Sequence, residues 1–202
     1  MEGFKDSDLV ALPIDDSLWN RFFTVAPLVV VGTKEAHGSF DLAPKHMAFP
    51  MGWSPFFGFV CTPEHRTYQN IRREQGFTVS YPQPDDILLT GLAAAPRCGD
   101  QSKTIVESLP TFKASKIDGV FLQGGYLFFE CELFKIIDGF GQNSLITGKI
   151  VAARIDRAAI RVSDQDDSEV LRQTPLLAFL YPNRFASVGD TMAFPFPKGF
   201  RK

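Results

Sequence analysis

Short runs of β-branched and aromatic residues alternate along this chain with clusters of turn-forming residues, a rhythm that predicts a sheet-dominated protein. LVVVGT (28–33) and SFDLAP (39–44), separated by the turn KEAHG (34–38), read as a hairpin. FFGFVC (56–61), apolar throughout, reads as a central strand, and FTVSYP (77–82) as another. The two longest strand signals, YLFFECELFKIID (126–138) and SLITGKIVAARID (144–156), flank GFGQN and predict a second, longer hairpin. Helical patterns are few. YQNIRREQ (68–75) has Thr67 in the N-cap position and Gly76 as its stop, while DDILLTGLAAA (85–95) and SKTIVESL (102–109) are joined by PRCGDQ. Pro175 and Pro182 break up the C-terminal part, which ends in the Pro/Phe-rich AFPFPKGF. Hairpin-joined strands with helices inserted singly predict a mostly β fold, an antiparallel sheet closing into a barrel, rather than alternating βαβ units. With no internal repeat and no linker, residues 1–202 are expected to form a single domain.

Composition narrows the picture. At this length one core can bury roughly 70% of the unfolded chain's surface, so stability needs neither disulfide nor metal. The chain is 45% hydrophobic and 22% charged, as ordinary globular proteins are, but its 20 Phe against 4 Tyr and 2 Trp point to a Phe-rich β core. A net charge of −2 provides no global basic field for nucleic acid or anionic lipid, so neither partner is expected. Cys61, Cys98 and Cys131 are an odd number without a C-x-x-C spacing, which excludes a disulfide framework and a structural zinc site. MEGFKDSDLV lacks the pattern of a signal or transit peptide, and no apolar run approaches the roughly 20 residues of a membrane helix. A soluble, cytoplasmic protein with free thiols is the expectation.

Several chemistries lack their signatures. GFGQNS (139–144) begins like a dinucleotide-binding loop, but strands flank it on both sides where the mechanism needs a following helix. No P-loop, H-E-x-x-H or G-x-S-x-G occurs. Cys61 and His65 are four residues apart with Pro63 between them and no third ligand nearby, and His37 falls in a hairpin turn, where it is expected to be solvated. No metal site is expected.

CTPEHRTYQNIRR (61–73) concentrates positive charge where a strand gives way to a helix. A helix N-terminus presents unpaired backbone N–H groups and the positive end of the helix dipole. Arg66 and Thr67 beside it suit a terminal phosphate monoester; the same residues also suit a solvated basic turn with an ordinary N-cap. DLAPKHMAFP (41–50) adds a second element: a strand running into Ala43-Pro44, then Lys45, His46 and Met47 ahead of Pro50. Prolines and small residues hold backbone donors in fixed places, as a flat heteroaromatic ring requires. Phosphate at one place and a planar ring at another describe a mononucleotide.

Together, Asp41-Leu42-Ala43-Pro44, Cys61-Thr62-Pro63, Arg66-Thr67-Tyr68, Asn70-Ile71, Phe77 to Ser80, Ser144 to Ala153 and YPNRFASVG (181–189) resemble, in order and spacing, the motifs of the flavin reductase-like family, whose fold is an FMN-binding antiparallel split β-barrel. The resemblance spans about residues 22–189, leaving 190–202 as a tail. It implies a homodimer that binds FMN, or FAD in its place, and passes reducing equivalents from NAD(P)H to flavin, ferric complexes or a protein electron acceptor. It places Lys45, His46, Met47 and Ala48 along the isoalloxazine ring, Cys61 and Thr62 along the ribityl chain, and Arg66 and Thr67 on the phosphate. It puts Ser102 and Lys103 near the cofactor. His46 stands where many members carry Ser, which suggests tuning of the flavin's potential or a plain hydrogen bond to a carbonyl. Asn143, which the resemblance places as a substrate-binding position on the nicotinamide side, stands where members that use a nicotinamide often carry His, a departure that bears on NAD(P)H use and not on flavin binding. Flavin supplies the chemistry, so no catalytic side chain is named. Three readings follow: an NAD(P)H-dependent flavin reductase, a flavoredoxin-type electron carrier, and a barrel without cofactor that serves as a binding module.

Overall fold

The computed structural model describes residues 8–99, 101–162 and 164–199. The first seven residues, Asp100, Ser163 and the last three residues of the tail lie outside the described residues. Seven strands form the main antiparallel sheet: β2 (Val29–Lys34), β3 (Phe40–Lys45), β4 (Ala48–Pro50), β5 (Phe56–Cys61), β6 (Gly76–Pro82), β9 (Gly125–Phe140) and β10 (Asn143–Ile155). Their order is β3-β2-β6-β9-β10-β5-β4, a sheet curled into the split barrel. A three-stranded sheet joins β1 (Thr24–Pro27), β11 (Leu176–Tyr181) and β12 (Arg184–Val188), and a small ladder pairs β7 (Thr111–Lys113) with β8 (Val120–Leu122). The helices are α1 (Arg66–Glu74), α2 (Ile87–Leu92), α3 (Ile105–Ser108) and α4 (Asp167–Gln173). Among the described residues no helix is long and apolar enough to cross a membrane.

Both predicted hairpins form. β2 pairs with β3 from Val29↔Lys45 to Lys34↔Phe40, and β9 with β10 from Asn143↔Phe140 to Ile155↔Leu127. The turn of the second passes through Gly141 at φ 62, a conformation glycine adopts without strain. The core is Phe-rich, as composition suggests: Phe57, Phe59 and Phe77 are buried with Val29, Val31, Val79, Ile71 and Ile146. Phe59 and Phe77 meet edge to face with centroids 5.4 Å apart. Gly148 on β10 permits this packing, because a Cβ there would fall 2.6 Å from the Phe77 ring. A second cluster, Val30, Leu42, Ala93, Val106, Leu109, Val120 and Leu122, seats α2, α3 and β8 on the other face of the β2–β3 hairpin.

Local differences from the sequence expectations have physical causes. The N-cap of α1 is His65, not Thr67, and Thr67 lies inside the first turn. The helix stops at Gln75, which takes the left-handed position at φ 58 and sends its N–H to the Ile71 carbonyl; Gly76 already belongs to β6. Over 102–109 only Ile105–Ser108 is helical, and the Lys103 ammonium ahead of it donates to the Leu42 and Ala93 carbonyls, both at 2.7 Å. Asn70, fully buried, donates to the Thr33 hydroxyl at 3.0 Å and accepts from Arg73. Asn70 and Ile71 therefore fasten α1 to β2 and the core.

Candidate functional site

α1 follows β5 after a four-residue turn, and its first turn faces the end of β3. Between them lies a cleft of about 570 Å³ that is closed on the far side by the turn after α2. Lys45, Arg66, Arg97 and Lys103 line it, together with Thr67 and His65.

The first turn of α1 is open to a ligand. Its N-cap side chain makes no capping hydrogen bond, and no acidic residue stands in that turn. The leading N–H groups of a helix have no partner within it; that of Tyr68 goes to the Cys61 thiol, while Arg66 and Thr67 border the cleft at the dipole's positive end. Thr67 is 2% exposed, and its hydroxyl has no partner among the described residues. The Lys45 ammonium likewise makes no hydrogen bond or ion pair among them. Arg66 is loosely tethered, with Nε 3.9 Å from Glu35 Oε2 and Nη1 3.5 Å from Gln69 Oε1.

Behind this face the remaining cations are committed to the protein. Glu35 and Asp41, 5% and 3% exposed, share Arg97: its Nη2 is 2.6 Å from Glu35 Oε1 and 3.1 Å from Asp41 Oδ2. Arg97 Nη1 also donates to the Gln101 carbonyl at 2.8 Å. Lys103 forms an ion pair with Asp41 Oδ1 at 3.1 Å and donates to two carbonyls besides, so it braces the turn after α2 against β3. The inner layer is thus nearly neutral, and Lys45 and Arg66 stand at the face of the cleft, whose lining also includes Glu64. His65 is held below its usual value by burial and by Lys45, against the opposing pull of Glu64.

The other predicted residues divide into two places. At the β5 end, Cys61 is buried and pairs in register with Ser144, while Thr62 donates to Asn143 Oδ1 at 3.4 Å. The structure therefore brings Thr62 and Asn143, 81 residues apart in sequence, side by side. Burial pushes the Cys61 thiol up, with Lys45 pulling the other way, so it is a neutral thiol at physiological pH. Along the β3–β4 connection, Met47 is exposed and Ala48 is buried opposite Phe59. His46 points away from the cleft. Its ring packs on Phe179 and Tyr181 of β11 at 4.6 and 5.6 Å, and its Nε2 is buried without a partner. Ser102 does not line the main cleft but a smaller cavity beside it. His37 is exposed, with Nε2 2.7 Å from the Ser39 hydroxyl.

Arg97, Glu35 and Asp41 were not singled out by the sequence reading. Asp41 lay within a quoted motif, but nothing local links it to Arg97; their pairing is made by the fold.

The split barrel, with a cleft lined by cationic side chains where strand and helix ends meet, is the fold of a known family. The model of the flavin reductase like domain matches residues 21–177, and the chain belongs to that family. Solved structures share the fold at low identity. The 2-nitrobenzoate 2-nitroreductase of Pseudomonas fluorescens superposes with a TM-score of 0.73 at 20% identity, covering 88% of this chain and 87% of that one. Flavoredoxin from Methanosarcina acetivorans gives 0.75 at 18%, covering 95% and 98%. An FMN-binding protein from Thermus thermophilus gives 0.72 at 17%, covering 96% and 99%.

Proposed function

We propose that the protein binds FMN in this cleft as one flavin-binding domain and acts as an NAD(P)H-dependent flavin reductase of the cytoplasm. The observation that carries the reading is the open first turn of α1, with Thr67 and Lys45 unpartnered and Arg66 loosely held around it. These donors match a phosphate monoester dianion in charge and number. Arg66, Thr67 and the first N–H groups of α1 would hold the phosphate; Thr62 at the β5 end would meet the ribityl hydroxyls; Lys45 and the backbone from His46 to Ala48 would border the ring. When bound, the flavin accepts a hydride from a nicotinamide and hands electrons to a second acceptor. The chain's own contribution is orientation and electrostatics, with Lys45 favouring negative charge on its side of the site. A homodimer also belongs to this reading: Trp53, Phe23, Val25 and Phe134 are large apolar side chains left exposed, Trp53 at 97%.

A flavoredoxin-type carrier is the second reading, and Asn143 favours it. It is exposed, uncharged and tied to Thr62, so it presents no imidazole to a nicotinamide. The visible spectrum of the purified protein, before and after anaerobic NADH or NADPH, separates the readings. Flavin bands that bleach are the outcome expected of a reductase. Bands that survive point to the carrier with a protein electron acceptor. A protein that stays colourless after incubation with FMN leaves a barrel without cofactor, a binding module.

A further inference from the structure

α1 is fastened to the barrel unevenly. Its second turn is held by Asn70 on the Thr33 hydroxyl at 3.0 Å, by Ile71 in the core, and by Arg73 on the Lys34 carbonyl at 2.7 Å. In the first turn the contacts of Arg66 are loose, and the Thr67 hydroxyl has no partner among the described residues. Tyr68 is the anchor there. It is 7% exposed, its N–H goes to the Cys61 thiol, and its hydroxyl donates to Asp138 Oδ1 at 3.2 Å.

The two acceptors stand at the ends of a row that crosses three strands. Cys61 on β5 pairs with Ser144 on β10, and Ser144 pairs with Asp138 on β9. Directly opposed residues of an antiparallel ladder share a face, so the three side chains lie side by side. A β-bulge makes the row possible. Asn143 is opposite Phe140 but Ser144 is opposite Asp138, which leaves Gly139, at φ 103, without a partner. In an unbroken ladder Gly139 would face Ser144, and the Asp138 carboxylate would point to the other side of the sheet. The carboxylate is held in turn by Ser144, fully buried, whose hydroxyl donates to the same Oδ1 at 2.6 Å. One oxygen thus ties the β9–β10 hairpin to the first turn of α1.

We propose that Asp138 is a positioning residue for the phosphate end of the cleft: by holding the Tyr68 hydroxyl it fixes where Arg66, Thr67 and the first turn of α1 stand, and so how tightly the chain grips a phosphate monoester. The proposal rests on the flavin reading above. Neither Asp138 nor Tyr68 lines the cleft, so their effect on a ligand passes through α1. Charge-assisted hydrogen bonds to a phosphate depend on direction as well as distance, and their donors work when a layer behind them holds them to within about 0.5 Å. Thr67 precedes Tyr68 directly, so a Tyr68 ring released from Asp138 lets the Thr67 hydroxyl and the Arg66 stem drift with it.

Fluorescence titration with FMN and with riboflavin tests it on Tyr68→Phe, Asp138→Ala, their double variant and Asp138→Asn, with thermal melting to verify folding. Tyr68→Phe removes one oxygen and leaves the Ser144–Asp138 bond in place, so it carries the test even where Asp138→Ala fails to fold. Tyr68→Phe and Asp138→Ala should each weaken FMN about three- to tenfold and leave riboflavin, which has no phosphate, within about twofold. The double variant should bind FMN about as well as the poorer of the two single variants, since both cut the same link. Asp138→Asn, whose amide oxygen still accepts, should recover FMN to within about twofold of the wild type. Losses that multiply in the double variant, riboflavin weakened as much as FMN, or FMN affinity untouched by Tyr68→Phe overturns the positioning role and leaves the flavin reading standing. A wild-type protein that binds neither flavin overturns that reading, and the positioning role with it.

Discussion

At Glu130 three successive backbone N–H groups, those of Ser115, Lys116 and Ile117, close on one carboxylate at 2.5–3.0 Å, and the Ser115 hydroxyl adds a fourth donor at 2.8 Å. Arg154 stands 3.5 Å away. At the first turn of α1 a comparable set converges: leading N–H groups, the Thr67 hydroxyl, and the Lys45 and Arg66 side chains. The first set surrounds an anion that belongs to the chain and is 1% exposed. The second set opens onto solvent and has no carboxylate of its own in that turn. Where donors serve the fold, the sequence supplies their acceptor; Glu35 and Asp41 do the same for Arg97 and Lys103. The proposed phosphate position uses donors that have no such acceptor, in a cleft bordered by that neutralised layer, and that difference is the physical basis of the proposal.

The most forceful way to break the comparison is to remove the ligand-facing donors. Arg66→Ala combined with Thr67→Ala should weaken FMN binding by about 2–4 kcal/mol, the loss of charge-assisted hydrogen bonds to a phosphate. Riboflavin, which has no phosphate, should be insensitive to the same change. Fluorescence titration of both ligands decides it, and unchanged FMN affinity would mean the phosphate lies elsewhere.

The built-in anion should respond in stability instead. Glu130→Gln turns an amide N–H toward donors that need an acceptor, and should cost about 2–3 kcal/mol in urea unfolding. Burial alone would raise the Glu130 carboxyl, but the N–H groups of Lys116, Ser115 and Ile117 and the Ser115 hydroxyl outweigh it and hold it below its ordinary value of 4.5. The folded state therefore binds this proton less readily than the unfolded chain. The resulting stability is fully present above about pH 4.5 and is lost as pH falls below it. The variant should show a flatter acid limb, with FMN affinity at neutral pH unaltered. An acid limb as steep as that of the wild type would mean that other carboxylates carry it.

Lys45→Ala sharpens the contrast with Lys103. Lys45 has no partner to lose, so its removal should leave the melting temperature unchanged and weaken FMN by about 1–2 kcal/mol, an effect that shrinks at high salt. Lys103→Ala should instead lower stability, since it strips two carbonyls of their donor and Asp41 of an ion-pair partner. Melting curves and titrations on the two variants should give opposite patterns. A matched pair would erase the distinction between ligand-facing and fold-facing cations.

These contrasts also explain what could be read in the sequence. β2, β3, β5, β6, β9 and β10 were legible because each is a run of apolar or alternating residues whose local pattern agrees with its place in the sheet. The basic start of α1 was legible for the same reason, its charges being adjacent in sequence. β7 and β8, three residues each, exist through Phe112 against Phe121 and through the Thr78 hydroxyl on the Val120 carbonyl, contacts that no local window contains. Arg97 lay in a Pro/Gly turn with no visible partner, because Glu35 is 62 residues away. Glu130 sat in YLFFECELF as an acidic residue amid an apolar strand. That was a readable signal of a satisfied buried charge, but its partners come from a loop with no distinguishing pattern. The residues of the proposed ligand side were thus closer to the surface of the sequence than the structural layer behind them.

His46 gives the smallest effect and tests a residue on neither side of the comparison. It follows Lys45 directly, yet its ring turns to Phe179 and Tyr181, with a buried Nε2 that nothing satisfies. Burial, reinforced by Lys45, holds it below its ordinary value of 6.5. The unfolded chain therefore takes up this proton first, and stability falls as pH drops through and below 6.5. His65 shifts in the same direction, so the wild-type slope contains both contributions. His46→Phe keeps a flat ring against β11 and removes the orphan nitrogen, an exchange that should be neutral or stabilising by about 0.5 kcal/mol at pH 7. The gain over wild type should widen between pH 6.5 and pH 5 in paired urea titrations, because only the His65 part of the slope survives. A gap that stays constant with pH would mean that His46 binds its proton equally well in the folded and unfolded chain, and a gap that narrows toward pH 5 would mean that the fold favours the protonated ring.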